Sequence, residues 1–389
     1  MPSLKALSPK AVGILAAIVT IFIWTAFIII ARATADPARG AVLTPYDIML
    51  ARVLGAAMIL LPWGWWLVRR DRARAADSLG TSANSANSAN SANSADSGNS
   101  VRMTSRSGPD GASHETVARH SSFFGLSPLS LRITATTGVF GGLLYGVLAY
   151  NGFLLAPAAH ASVLLPGSLP LWTALLAVMV LGERLTPSRL TGLACIVAGD
   201  LLVGGASLLR AFDGGSIWKG DVLFIVAAFC WSVYSVLARR HRLDAVRATI
   251  AITVFALFTY LPAYALLVAL HAVPSQLATA PMGAFVFQML FQGVGSVVIS
   301  GITFTKMIQY FGPVRSTLFT AIVPGSSALG AAYFLGEPLS WNLWAGLAMV
   351  TLGILFGVRG VRAVKAVKSV RVDASKLAAV DANATGPRV

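Results

Sequence analysis

Residues 182–193 read GERLTPSRLTGL, and residues 336–347 read GEPLSWNLWAGL. Gly182, Glu183, Leu185, Gly192 and Leu193 match Gly336, Glu337, Leu339, Gly346 and Leu347 at a single offset of 154. The same offset pairs Ser162 with Ser316, Pro170 with Pro324 and Gly199 with Gly353. Two further stretches, WTAFIIIAR at 24–32 and WSVYSVLAR at 231–239, match at an offset of 207. The difference, 207 − 154 = 53, places extra residues in the first half, ahead of its fourth apolar run. Self-similarity of this kind marks a duplicated architecture.

What is duplicated is apolar helix. Hydrophobic residues make up 56% of the 389, and charged residues only 12%, about half the share of an ordinary soluble domain. Ten stretches reach spanning length: 11–31, 45–67, 131–153, 157–181, 188–208, 217–238, 246–270, 283–305, 313–335 and 340–358. Lipid leaves no backbone group to water, so uninterrupted apolar runs read as helices and not as alternating barrel strands. The first run follows Lys5 and Lys10 but is longer than a signal-peptide core, and its end recurs at 231–239, so it is kept as span 1. The fold expected is an all-α membrane protein of ten transmembrane helices in two halves of five. Five is odd, so the second half enters the membrane from the opposite side, which makes the halves inverted repeats. Secondary transporters use such repeats and hold substrate between them near the midplane.

The net charge of +15 does not point to nucleic acid, because the basic residues lie between apolar runs and not on one face. They report orientation. With the N-terminus inside, the inside loops hold Arg69, Arg70, Arg72, Arg74, Arg184, Arg189, Arg239, Arg240, Arg242 and Arg247, with Lys306 and Arg315 at the next turn. The outside loops hold Arg32, Arg39, Arg210 and Lys219. Both termini are expected in the cytoplasm and the chain in the cell inner membrane. Trp63, Trp65, Trp66, Trp218, Trp341 and Trp344 lie near span ends, as an aromatic belt requires. The division expected is a cytoplasmic 1–10, a first repeat in 11–68 and 131–209, a second repeat in 217–358 and a basic cytoplasmic tail at 359–389. Residues 69–130, with Ser-Ala-Asn repeats at 82–95, read as a disordered cytoplasmic loop inserted between spans 2 and 3.

Trp-Thr and Trp-Ser in spans 1 and 6, Arg52 in span 2, the prolines of spans 4 and 9, and the repeated Gly-Glu turn with its following glycine pair resemble the drug/metabolite transporter superfamily. More narrowly, they resemble its EamA branch. The resemblance covers about residues 11–358 apart from the Ser-Ala-Asn loop, which is not a family feature. It implies ten helices, cytoplasmic termini, a central cavity lined mainly by helices 1, 3, 4, 6, 8 and 9, and in many members export of amino acids or similar metabolites. Gly-Glu-Pro stands in the second half where the first has Gly-Glu-Arg.

The residues offer their own candidates. In span 8, Gln288, Gln292, Ser296 and Ser300 recur every four positions and share a face. A polar row in a span faces protein or a wet cavity, and glutamine supplies both donor and acceptor. Interhelical hydrogen bonding is the alternative. Ser316 and Thr320 in span 9, and His160 and Ser162 in span 4, sit near prolines whose missing N–H frees a carbonyl. Trp24, Tyr145, Tyr150, Trp231 and Tyr234 are candidates to stack on substrate, and Asn151 adjoins Tyr150. Arg52 lies well inside a span, a placement costing about 2.5–3.5 kcal/mol, so it binds a carboxylate, pairs with a helix end or snorkels. Glu183 and Glu337 are read as caps of the helix that follows each. Asp200 and Asp221 remain, and no buried proton relay is evident.

Cys195 and Cys230 make neither a disulfide framework nor a metal spacing. No catalytic motif, metal site, cofactor or nucleotide-binding loop stands out, so an enzyme is not expected. The expected partners are a small-molecule substrate and the lipid bilayer, with a homodimer through Gly353-x-x-x-Gly357 as a lesser option. Export of amino acids or related metabolites is the leading function. The alternatives are a lipid-linked sugar flippase or a drug efflux protein of the same superfamily.

Overall fold

The computed structural model describes residues 9–93, 121–183 and 185–357. Among them every regular element is helical, apart from an isolated bridge between Ser122 and Ser127. Eight helices are long and apolar enough to cross a membrane. We label them α1 (Pro9–Ala35), α2 (Pro45–Asn93), α3 (Leu131–Leu155), α4 (Ala158–Leu181), α5 (Pro187–Leu209), α6 (Ile217–Arg240), α7 (Ala245–Ala269) and α8, whose spanning part is Met282–Ile308. Two shorter apolar helices follow, α9 (Val323–Leu335) and α10 (Trp341–Gly357). The exterior carries large apolar side chains: Phe22 is 67% exposed and Met179 80%, an arrangement suited to lipid and costly in water.

Local chemistry sets the helix ends. Thr44 and Asp47 form a reciprocal cap at the start of α2: Thr44 N donates to Asp47 Oδ2 at 2.9 Å and Asp47 N to Thr44 Oγ1 at 3.2 Å. Thr186 caps α5 by accepting from Arg189 N, ahead of Pro187. α4 and α9 both stop on a glycine in the left-handed region, Gly182 at φ 65° and Gly336 at φ 61°. Both contain or follow a break one residue before a Leu/Val-Pro pair: helical order lapses at 165–168 and at 321–322, and helix resumes at Leu169 and Val323. Two helices widen to π geometry, α3 over Val139–Leu144 and α8 over Met289–Ile299.

Glycines allow backbone-to-backbone packing of α5 on α10. A Cβ on Gly192 would lie 2.6 Å from Gly353 O, and one on Gly353 the same distance from Gly192 O. Gly199 and Gly346 face each other likewise, at 2.7 and 2.9 Å. The approach predicted for Gly353 is therefore made inside the chain. Gly293 of α8 meets Gly55 and Ala56 of α2 as closely, which presses the π segment of α8 against α2. The Trp-Thr and Trp-Ser motifs each make a cross-helix hydroxyl bond, Thr25 to Ser326 at 2.7 Å and Ser232 to Thr173 at 3.1 Å.

Three expectations need correction. Ten stretches of full spanning length were expected; among the described residues eight helices reach that length, and Val323–Leu335 and the described Trp341–Gly357 fall below it. The turn expected near 306–312 is bridged by helical hydrogen bonding that runs Ser300–Thr320, and the chain breaks instead at 321–322, just before Pro324. The insertion was expected to be a disordered loop from residue 69. Its described parts are ordered: α2 continues to Asn93, and residues 121–130 fold against it. Arg69 and Arg70 stack on Trp65 and Trp66 one turn earlier, at 4.0 and 4.7 Å, and Arg247 pairs with Asp71 at 2.7 Å. Arg72 donates to Ser121 Oγ at 2.6 Å, and Ser122, Ser127 and Thr134 form a buried hydroxyl cluster. The remaining expectations for this insertion fall on residues 94–120, and those for the basic tail on 358–389, outside the described residues.

Candidate substrate site

The polar row of α8 is buried and incompletely satisfied. Gln288 is 1% exposed and Gln292 is fully buried. Gln288 Oε1, Gln292 Nε2 and Ser296 Oγ have no hydrogen-bond partner among the described residues. Ser300 does not join them, because its hydroxyl donates to Ser296 O at 2.6 Å. The i→i+5 bonding of the π segment keeps residues four apart close to one face over this stretch, so the row holds together where an α-helix would rotate it away.

Across from this row stand α2 and α3. Tyr150, 1% exposed, donates to Gln292 Oε1 at 3.0 Å. The Arg52 guanidinium sits 5.8 Å from the Phe27 ring centroid, and its Nη1 is buried with no hydrogen-bond partner among the described residues. Tyr145 packs on Trp231 at 4.8 Å between centroids, and Trp231 on Tyr234 at 5.2 Å, so α3 and α6 supply an aromatic wall. Tyr150 and Gln292 thus join α3 to α8, Tyr145, Trp231 and Tyr234 join α3 to α6, and Arg52 of α2 lies over Phe27, which packs against Tyr150; Gln288 and Ser296 share the α8 row with Gln292.

Other sequence candidates lie apart or are satisfied locally. Trp24 packs on Phe304, at 5.2 Å. Asn151 Nδ2 donates to Val147 O at 2.8 Å and Ser162 Oγ to Ala159 O at 2.6 Å, each within its own helix, as short polar side chains do when no better acceptor is near. Ser316 is buried, Thr320 half-buried, and both already interact with neighbouring groups.

Charged clusters mark the two ends of α4. At its start, Glu337 accepts from Ala158 N at 2.9 Å and from Ala159 N at 2.8 Å. Arg32 pairs with Glu337 at 3.5 Å and with Asp36 at 3.0 Å, and donates to Phe153 O at 2.7 Å. Glu337 therefore caps α4 and not the helix that follows it, which corrects the sequence reading. At the other end of α4, Glu183 pairs with Arg189 at 3.1 Å and with Arg239. Burial alone would raise its pKa, but the hydrogen bonds from Arg189 and Arg239 outweigh this and hold the carboxyl below its usual range. Arg32 and Arg239 are the last residues of the two stretches matched at offset 207, and Glu337 and Glu183 match at 154. Elsewhere, Asp47 is held by Tyr264 Oη, Ser275 Oγ and Gln276 N. Asp221 accepts from Ser207 and lies 3.0 Å from His160 Nδ1.

These clusters eluded sequence reasoning because each joins residues more than a hundred positions apart or on three helices. Arg32 was taken for a loop arginine. Among the described residues no group of His, Cys, Asp and Glu is arranged to hold a metal ion.

Comparison with known proteins agrees with this architecture. The EamA-like transporter family matches twice, at residues 117–205 and 218–359. The uncharacterized transporter YyaM of Bacillus subtilis (strain 168) is 25% identical over 245 residues, 59% of this chain and 75% of that protein. An uncharacterized transporter of Archaeoglobus fulgidus is 34% identical over 134 residues, 34% of this chain and 43% of its own length. A solved crystal structure aligns with TM-score 0.48 at 19% identity, covering 89% of this chain and 96% of that one. With the family matched over both halves, and with at least eight apolar helices of membrane-crossing length, this chain is a multi-pass membrane transporter that belongs to the EamA-like transporter family.

Proposed function

We propose that the chain is a secondary transporter that exports amino acids or related small metabolites. In this reading it works by alternating access between two inverted five-helix halves, and resides in the cell inner membrane with both termini cytoplasmic. One observation carries the reading: among the described residues Arg52 Nη1, Gln288 Oε1, Gln292 Nε2 and Ser296 Oγ are buried and unmatched, with an aromatic wall on α3 and α6. Unmatched buried polar atoms cost about 1–3 kcal/mol each, a cost that a bound polar solute would offset.

Several features support the inverted halves. The family matches twice. Helix resumes at Leu169 and Val323, and ends on Gly182 and Gly336, at the one offset of 154. The facing pairs Gly192–Gly353 and Gly199–Gly346 exchange under that offset, as contacts across a two-fold axis do. The Arg32–Glu337 and Arg239–Glu183 pairs are equivalent under the two offsets and lie at opposite ends of α4. Their side chains are 15% and 10% exposed in the first pair, and 48% and 31% in the second. Two equivalent ion pairs, one at each end of α4 and one more exposed than the other, fit two repeats related by inversion.

Catalysis is a poorer fit. Ser207 bonds to Asp221 and not to His160, so the one Ser–His–Asp grouping has no nucleophile–base contact. A lipid-linked sugar flippase would need a basic cluster for phosphate, and the buried site holds Arg52 alone. The reading is tested by a tolerance screen of an overexpressing strain against amino acids, nucleobases and drugs, with Trp231→Ala and Gln292→Ala alongside. Resistance to one class that both variants lose is expected. Resistance that both variants keep removes the site, and no change in tolerance to any compound removes the function.

A further inference from the structure

The arginine-rich part of α2 carries a second set of unmatched polar atoms, which the substrate site does not use. Trp63 and Arg70 are seven residues apart on α2 and so share a face, with the arginine about 10 Å further along. Asp71 joins this part of α2 to α7 through its ion pair with Arg247 at 2.7 Å. Arg70 Nε lies 3.9 Å from Asp71 Oδ1, too far for a hydrogen bond. Arg70 Nε and Arg247 Nη1 are both buried with no hydrogen-bond partner among the described residues. Guanidinium nitrogens only donate, so the two require an acceptor. Their surroundings favour a charged one. Arg69, Arg70, Arg72 and Arg247 stand here against Asp71 and Asp244, and Asp244 is engaged in capping α7, accepting from Arg247 N at 3.0 Å. Arg72 meets a neutral partner, the Ser121 hydroxyl.

Beside these residues lies an apolar groove between α2, α7 and α8, lined by Leu60, Trp63, Val246, Thr249, Val298 and Ile302. The Thr249 hydroxyl donates to Ala245 O at 2.8 Å, so the one polar atom of that side chain is satisfied. Val246 and Thr249 flank Arg247 along α7, as Trp63 shares the face of Arg70 on α2. Gly301 completes the wall, and a Cβ there would meet only Thr249 Oγ1, at 3.7 Å. The exposed Trp65 and Trp66 carry Arg69 and Arg70 stacked on their rings, a pairing suited to the headgroup level of a bilayer.

We propose that these residues form a binding site for an anionic phospholipid, whose phosphate accepts from Arg70 Nε and Arg247 Nη1 while one acyl chain lies in the groove. The surplus of arginine selects a net negative headgroup over a zwitterionic one, whose ammonium it repels. The lipid belongs to the leaflet at this end of α2, which is the cytoplasmic one in the orientation proposed above. The site is separate from that of Arg52 and Gln292 and does not depend on what the chain transports.

The test uses the purified full chain, with lipid retention read by native mass spectrometry and thermal unfolding followed in nanodiscs. The probes are phosphatidylglycerol, phosphatidylcholine with the same acyl chains, and glycerol phosphate as the free headgroup anion. Phosphatidylglycerol should be retained and should raise the unfolding midpoint above that in phosphatidylcholine alone, and glycerol phosphate should leave the midpoint unchanged. Arg70→Gln and Arg247→Gln should each weaken retention by about tenfold. Gly301→Leu, which fills the groove and keeps every charge, should weaken it as well and serves where an arginine variant fails to fold. Arg240→Gln, which removes an exposed charge from the last turn of α6 and touches no part of the groove, should leave retention unchanged. Equal retention of phosphatidylcholine, stabilisation by glycerol phosphate as large as by the lipid, undiminished retention in Gly301→Leu, or a loss in Arg240→Gln as large as in Arg247→Gln would each overturn the proposal.

Discussion

Replacing Glu337 by alanine should release the first turn of α4. Ala158 and Ala159 carry two of the amides that no helix satisfies internally, and Pro157 before them offers no side-chain cap. The Glu337 carboxylate accepts from both, at 2.9 and 2.8 Å, with a side chain only 10% exposed. Hydrogen bonds to a charged group contribute about 1.5–3 kcal/mol each, and breaking a buried pair costs about 3–5 kcal/mol. Arg32 keeps Asp36 at 3.0 Å and Phe153 O at 2.7 Å, so it is not orphaned. The cost therefore falls at the lower end, about 3 kcal/mol. At 1.4 kcal/mol per tenfold, amide exchange at 158 and 159 should accelerate by roughly a hundredfold. Hydrogen–deuterium exchange of the peptide spanning 157–161 reads this directly. Glu183→Ala, at the far end of α4, should leave the same peptide unchanged. Unaltered protection in Glu337→Ala, with the fold intact, would refute the capping assignment.

Three further outcomes follow from the same geometry. Gly353→Val drives a side chain into Gly192 O, at 2.6 Å already from a bare Cβ, and should cost about 1–3 kcal/mol, whereas Gly325→Ala, with open space around it, should be near neutral; thermal unfolding compares them. Tyr150→Phe strands Gln292 Oε1 and should cost about 1–3 kcal/mol, most of it recovered when Gln292→Leu is added, as a double-mutant cycle would measure. Glu183 has a folded pKa below its usual 4.5, so its contribution to stability is present above that value and is lost as pH falls through the folded pKa. The melting difference between the parent and Glu183→Gln should therefore shrink on acidification below 4.5, and a difference that grows would contradict the pairing with Arg189 and Arg239.

How much of this was legible in the sequence varied with the range of the interaction. The Gly-Glu turns act locally, so the C-terminal ends of α4 and α9 fell at Leu181 and Leu335, where the motifs placed them. Gln288 and Gln292 were legible as polar residues in an apolar run, but the π widening that holds them on one face has no sequence signal. Asn151 and Ser162 carry the same signal and yet bond their own helices, because a polar side chain in a span has a local acceptor within reach whichever way it faces. The partner of Glu337 was hidden for another reason: the amides of 158 and 159 come to it only through tertiary packing. The continuation of α2 was missed because low complexity outweighed the good helix formers and the Arg–Trp stacks that follow residue 65.

The central claim is that solute crosses between the two halves through the site of Arg52, Gln292 and the Tyr145–Trp231 wall. Counterflow in proteoliposomes containing the purified chain tests it most directly, with a compound identified by the tolerance screen supplied inside and its labelled form outside. The account predicts saturable accumulation of label, lost in Gln292→Leu and Trp231→Ala while both variants remain folded. Absence of counterflow for every such compound, or undiminished counterflow in both variants, would contradict it.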